Sequence, residues 1–215
     1  MMNQDLASKR DIVFPTQSLS HKGFTLIELA FVLVIVGLLL GLGAQLIPML
    51  VTQNKLSDDR TRVKEAKTAL IGYALATGRL PFASLNANGL ETPNKYNGYL
   101  PWSTIGITGV DAYQTTLFYA VDFNLTTAGS ITQTVIGKLI SDTPPLPPNQ
   151  KLYSDLGAVR VAFVVISAGQ NRILDNPPNN MNGNTFAAPS APVTSNYDDI
   201  LESESLSLLN GIAPP

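Results

Sequence analysis

Residues 21–51 read HKGFTLIELAFVLVIVGLLLGLGAQLIPMLV, and the organisation of the chain follows from this stretch. From Leu26 to Val51 it is apolar almost without a break. As a helix it would reach about 39 Å at ~1.5 Å per residue, and a hydrocarbon core needs about 20 such residues. A soluble core helix of this length would show a polar face, which is missing here. A cleaved secretory signal would have an apolar region of only ~7–15 residues, ending in a small-x-small site. A transmembrane helix is therefore expected. Its one ionisable residue is Glu28. A carboxylate in lipid is costly and marks a function with a partner to be named; the other reading is a side chain snorkelling to the headgroups from near the end of the span.

The rest of the composition narrows the function. The chain has 215 residues, 45% of them hydrophobic and 14% charged, where a soluble domain has about 25% charged. That length suits one domain with an appendage, or two small domains. Lys and Arg total 14 against 16 Asp and Glu, and a net charge of −2 removes the electrostatic case for binding nucleic acid. There is no Cys, which excludes disulfides, thiolate nucleophiles and Cys-based metal sites. The single His is His21. Should residues 1–23 be removed, imidazole acid–base chemistry and His-ligated metals would go with them. No nucleophile motif is visible, so no enzymatic activity is expected.

The residues His21-Lys22-Gly23-Phe24-Thr25-Leu26-Ile27-Glu28 resemble the type IV prepilin processing site: a basic residue, a Gly, then Phe-Thr-Leu-Ile-Glu opening a long apolar helix. The resemblance is to the class of type IV pilins and type II secretion pseudopilins, and it implies the following. A prepilin peptidase would cleave between Gly23 and Phe24 on the cytoplasmic side and N-methylate Phe24. The helix would sit once through the bacterial inner membrane with its head in the periplasm. A platform protein and an assembly ATPase would move the subunit into a periplasmic or surface filament beside other pilin or pseudopilin subunits. Glu28 would pair with the N-terminal amine, on Phe24, of a neighbouring subunit. The Lys and Arg count alone favours the opposite orientation, since five basic residues between Lys55 and Lys67 follow the span and three precede it. The orientation therefore rests on the motif.

The expected organisation is a cleaved leader at 1–23, a transmembrane and assembly helix at 24–51, its amphipathic continuation at 52–78, and a head at 79–215. Leu56, Val63, Ala66, Leu70, Tyr73 and Ala74 form one apolar stripe, and Gly78 and Pro81 end the helix. Gly37, Gly41, Gly43 and Pro48 lie inside it, so a kink near Pro48 and close helix–helix approach are expected. Strands are expected at Thr116–Asp122, Ile131–Gly137 and Val159–Ser167, the last unalternating and so central and covered on both faces. The fold class is α+β, a long helix packed on a small antiparallel sheet.

Weaker strings, among them Ala76–Pro81, Gly98–Trp102, Asp111–Tyr113, Tyr119–Val121 and Val164–Asn171, resemble one group of minor pilin-like proteins. Where that group often has a Cys, this chain has Phe82. Trp102, with Tyr99, is either a core plug or an exposed contact for another subunit or ligand. Residues 175–184 (DNPPNNMNGN) read as an exposed loop, and Asp198, Asp199, Glu202 and Glu204 crowd acids behind it. No cofactor is required. Some members of the resembled family bind calcium near the C-terminus, and Asp175, Asp198 and Asp199 are the candidate ligands here, against a plain solvated acidic surface. Residues 200–209 read as a last strand or helix docking on the sheet. The expected function is a structural minor pilin or pseudopilin; the alternative is a filament-tip binding module, an adhesin or cargo receptor, on the same scaffold.

Overall fold

The computed structural model describes residues 23–142, 144–146, 151–175, 179, 183–194 and 196–215. The leader at 1–22 lies outside them. The chain divides into two compact units, residues 1–47 and 48–215. Helix α1 (Leu26–Thr77) starts in the first and ends in the second, beginning two residues later than Phe24 and running through Pro48. In the first unit its apolar side chains stand in the open: Leu26, Ile27, Phe31, Leu33 and Leu40 are all exposed, as is Phe24 just ahead of it. Among the described residues no helix is long and apolar enough to cross a membrane; the expected span includes residues 42, 43, 45 and 46, whose side chains lie outside the described set.

The second unit is an antiparallel sheet with α1 laid across it, the α+β, pilin-like arrangement expected. Its further elements are β1 (Asn97–Tyr99), α2 (Trp102–Ile105), β2 (Phe118–Val121), α3 (Gln133–Ile140), β3 (Tyr153–Ser154), β4 (Val159–Ser167), β5 (Ile200–Ser205) and α4 (Leu206–Ile212). β4 is central. β2 lies along one side of it and β1 beyond β2; β3 and β5 share the other side, at successive positions along the strand. All pairings between these strands are antiparallel. A bulge between Val161 and Phe163 breaks the alternation. Phe163 and Val165 therefore face Val63, Ala66, Leu70 and Ala74 of α1, while Val161, Val164 and Ile166 face a second core with Leu152, Phe186 and Leu201. An uninterrupted apolar strand is what two buried faces require.

α1 ends as its sequence demands. Gly78 takes φ +72 and donates its N–H to Ala74 O at 2.9 Å, closing the last turn in a left-handed cap that costs glycine little. Tyr73 is half-buried beside the stripe rather than in the core.

The strand expected at Ile131–Gly137 is instead helix α3. Its β-branched residues mimic strand composition, but Thr132 Oγ1 accepts the N–H of Val135 at 3.3 Å and caps a helix. Ile136 and Leu139, one turn apart, then bury together against α4. The strand expected at Thr116–Asp122 shortens to β2, because Asp122 leaves it to cap the 3-10 turn Phe123–Leu125, accepting from Asn124 N–H. Residues 200–212 form both a strand and a helix, joined where Ser205 Oγ caps α4 through the N–H of Leu208.

Candidate functional site

At the N-terminus, Gly23 and Phe24 precede α1 and both are exposed. Thr25 caps the helix: its Oγ1 accepts the N–H of Glu28 at 3.3 Å and its carbonyl accepts from Leu29 N–H at 3.1 Å. Thr25-x-x-Glu28 has the spacing of a capping box, so the same four residues that resemble a processing site also start the helix. The Glu28 carboxylate is exposed and lies in the first turn, where the helix dipole favours it.

Trp102 and Tyr99 do not form one exposed aromatic patch. Trp102 is half-buried against the main core, and its Nε1–H donates to Ala87 O at 3.3 Å. Gly89 and Gly109 flank the indole so closely that a Cβ on either would come within 2.4 and 2.0 Å of ring atoms. Tyr99 stacks on Phe118, with ring centroids 5.3 Å apart.

The three acids singled out in the sequence do converge. One carboxylate oxygen each from Asp175, Asp198 and Asp199 lie within 4.8 Å of one another. Asp175 follows β4 in the chain and Asp198 and Asp199 precede β5, and hydrogen bonds tie the two segments together. Asp175 Oδ2 accepts from the N–H groups of Asp198 at 2.7 Å and Asp199 at 3.4 Å. Asp199 Oδ2 accepts from Asp175 N–H at 2.9 Å and from Asn179 Nδ2 at 2.7 Å. Gly169, at φ +61, stands against the Asp198 backbone, where a Cβ would come within 2.2 Å of the Asp198 carbonyl oxygen. Burial pushes the Asp199 carboxyl up to about 6, with Asp175 and Asp198 adding like charge. Burial likewise raises Asp198. Two buried oxygens, Asp198 Oδ1 and Asp199 Oδ1, have no hydrogen-bond partner among the described residues. Orphaned carboxylate oxygens beside two other carboxylates are a donor set that suits a hard cation. Asn179, which Asp199 holds, was missed within the loop reading. Glu202 and Glu204 lie apart from this cluster and pair with Lys67 of α1, each at 3.4 Å.

Sequence reasoning also passed over a second polar cluster. Asp59 of α1, Asp111 ahead of β2 and Ser167 at the end of β4 are fully buried, and both carboxylates lie within hydrogen-bond distance of the Ser167 hydroxyl. The signal was present: Asp59 stands four residues before Val63, on the buried stripe, at a position where an apolar residue would be expected.

Residues 19–44 match the prokaryotic N-terminal methylation motif. No curated protein and no solved structure matches the chain. A long helix on a small antiparallel sheet is a pilin-like fold. Joined to a prepilin-type methylation motif at its start, it is consistent with a type IV pilin-like or pseudopilin protein. The motif implies processing by a prepilin peptidase and assembly with other pilin subunits, and it points to a structural subunit anchored in the inner membrane.

Proposed function

We propose that this chain is a non-enzymatic minor pilin or minor pseudopilin of a type IV pilus or type II secretion filament. Residues 1–23 are its leader, 24–51 its membrane and assembly helix, 52–78 the continuation of that helix, and 79–215 its periplasmic head. The observation that carries this reading is the N-terminal methylation motif at 19–44, which runs into a helix whose apolar side chains are exposed. Exposed side chains of that kind require lipid or a neighbouring helix to cover them. Peptidase cleavage after Gly23 would free Phe24 as a new N-terminus four residues from Glu28. The platform protein and ATPase would then draw the subunit out of the inner membrane.

The test is the intact mass of the protein from membranes of cells with and without prepilin peptidase. The expected result is loss of residues 1–23 and one added methyl group on Phe24, only when the peptidase is present. Removal of the leader independent of the peptidase would overturn the reading.

The unpartnered oxygens of Asp198 and Asp199 support calcium as a ligand of the head, held by Asp175, Asp198 and Asp199. Its effect on stability has a definite sign with pH. Because the folded Asp199 carboxyl is raised to about 6, the native state keeps a proton that the unfolded chain has lost by then. Stability without calcium therefore falls as pH rises between about 4 and 6, and a cation would replace that proton above this window. With 10 mM calcium and a Kd of about 10⁻⁴–10⁻³ M, typical of extracellular modules, the gain is ~1.4–2.7 kcal/mol. Thermal unfolding should shift upward with calcium near pH 7 and much less near pH 5, and Asp199→Asn should abolish the shift. Equal shifts in the variant and the wild type would exclude this site.

A further inference from the structure

The hydrogens at the junction between α1 and the sheet do not come out even. Ser167 Oγ stands 2.6 Å from Asp59 Oδ2 and 3.0 Å from Asp111 Oδ2. It also accepts the N–H of Gly169 at 3.1 Å. A serine hydroxyl has one proton and two lone pairs. Gly169 uses one lone pair, and the proton can point at only one carboxylate. The other carboxylate then faces Oγ lone pair to lone pair, unless it carries a proton itself. With both carboxyls ionised, the junction holds two negative charges and a repulsive O···O contact in a site closed to water, which is costly. One added proton removes both problems. The carboxyl O–H donates to Ser167 Oγ, and Ser167 donates to the remaining carboxylate.

The outer oxygens are already engaged. Asp59 Oδ1 accepts from Ala112 N–H at 3.3 Å, and Asp111 Oδ1 accepts from Tyr113 and Thr115 N–H at 2.8 and 2.7 Å. The junction thus closes a loop from α1 through the 111–115 turn to β4.

We propose that Asp59 and Asp111 share one proton through Ser167 in the folded protein, and that this proton fastens α1 to β4, so that seating of the helix on the sheet is proton-linked.

The charged groups around the junction do not replace that proton. Arg62 of α1 is the nearest cation, but its Nη1 donates to the carbonyls of Val110 and Asp111, both at 3.1 Å, and its other nitrogens pair with Asp58. From the turn, Tyr113 presents its ring to Lys55 of α1, whose Nζ lies 5.3 Å from the ring centre. Among the described residues of the β4–β5 loop, the charged group near the junction is Asp198, another acid, beneath Gly169. Burial raises the Asp59 carboxyl above its ordinary value; Asp111 adds to this, while Ser167, the Ala112 N–H and Arg62 partly offset it. A folded value above the unfolded one means the native state binds the extra proton. The junction's contribution is therefore full at low pH and is lost as pH rises through the folded value.

The test is thermal unfolding of the full chain in detergent micelles between about pH 4 and 8, followed by the fluorescence of Trp102. Asp59→Asn places an N–H donor where the carboxyl proton would be. It should flatten part of the fall in Tm with rising pH and raise Tm near pH 7.5 by about 2–4 °C. An unchanged slope, or a Tm lowered equally at every pH, would overturn the proposal. Carboxyl carbon NMR of the wild type supplies a readout that does not depend on a variant folding. The Asp59 carboxyl carbon should titrate above the ordinary value of about 4. If it titrates at or below that value, no shared proton exists.

Discussion

Truncating Phe163 to alanine is expected to cost the second unit about 3–5 kcal/mol, against a total stability of about 5–15 kcal/mol for an ordinary domain. Phe163 is fully buried at the middle of β4. It pairs with Val121 of β2 on one side and Glu204 of β5 on the other. Its ring lies 6.4 Å from that of Tyr119, under the stripe of α1. Three elements meet on one side chain, so the surroundings cannot collapse into the space it leaves. Trp102 is the only tryptophan and packs on the core of the same unit, so its fluorescence reports unfolding there. Urea unfolding should give a midpoint far below that of the wild type, with Ile173→Ala, at an exposed loop position, within about 0.5 kcal/mol of it. Similar losses at the two positions would mean that β4 is not the centre of the core.

That centre was legible because Val161–Ile166 (VAFVVI) admits one explanation: an unbroken run of apolar side chains on both faces of a strand needs cover on both faces. The end of α1 was equally plain, since Gly78 can take the left-handed conformation that stops the stripe. Where reading failed, short-range chemistry competed with composition. The Ile, Thr and Val of residues 131–136 favour a strand by propensity, yet a single side-chain cap from Thr132 and the company of α4 decided for helix. Other features depend on distant residues meeting, which no local pattern records. Gly89 and Gly109 hold Trp102 from either side. Asp175 meets Asp198 and Asp199 across more than twenty residues of sequence. Asp59 is different, because its place on the buried stripe was readable. A helix that buries an acid among valine, alanine and leucine announces a polar partner, although Ser167 and Asp111 could not be named without the fold.

Glu28→Gln is expected to be cleaved after Gly23 like the wild type, yet to be depleted at least tenfold from sheared filaments. Two roles compete for this residue. As the fourth member of Thr25-x-x-Glu28, it supports the start of α1, where Thr25 already accepts its N–H. Glutamine serves that role nearly as well, since a capping box takes either residue. As a charge partner for the amine of a neighbouring Phe24, it needs its carboxylate. The side chains around it, Leu26, Ile27, Leu29 and Phe31, are all exposed and apolar, so covering them with other helices would also bury Glu28. An ion buried without a partner costs several kcal/mol, and each 1.4 kcal/mol is a factor of ten in an assembly equilibrium. Glutamine removes the negative charge and leaves the neighbouring ammonium as the unpaired ion. Intact mass of membrane and filament fractions separates the two roles. Processed Glu28→Gln retained in membranes and missing from filaments supports charge pairing, with Glu28→Ala behaving the same way. Glu28→Gln incorporated at the wild-type level, with only Glu28→Ala reduced, would reduce Glu28 to a helix cap and leave the amine of Phe24 to find its counter-charge elsewhere.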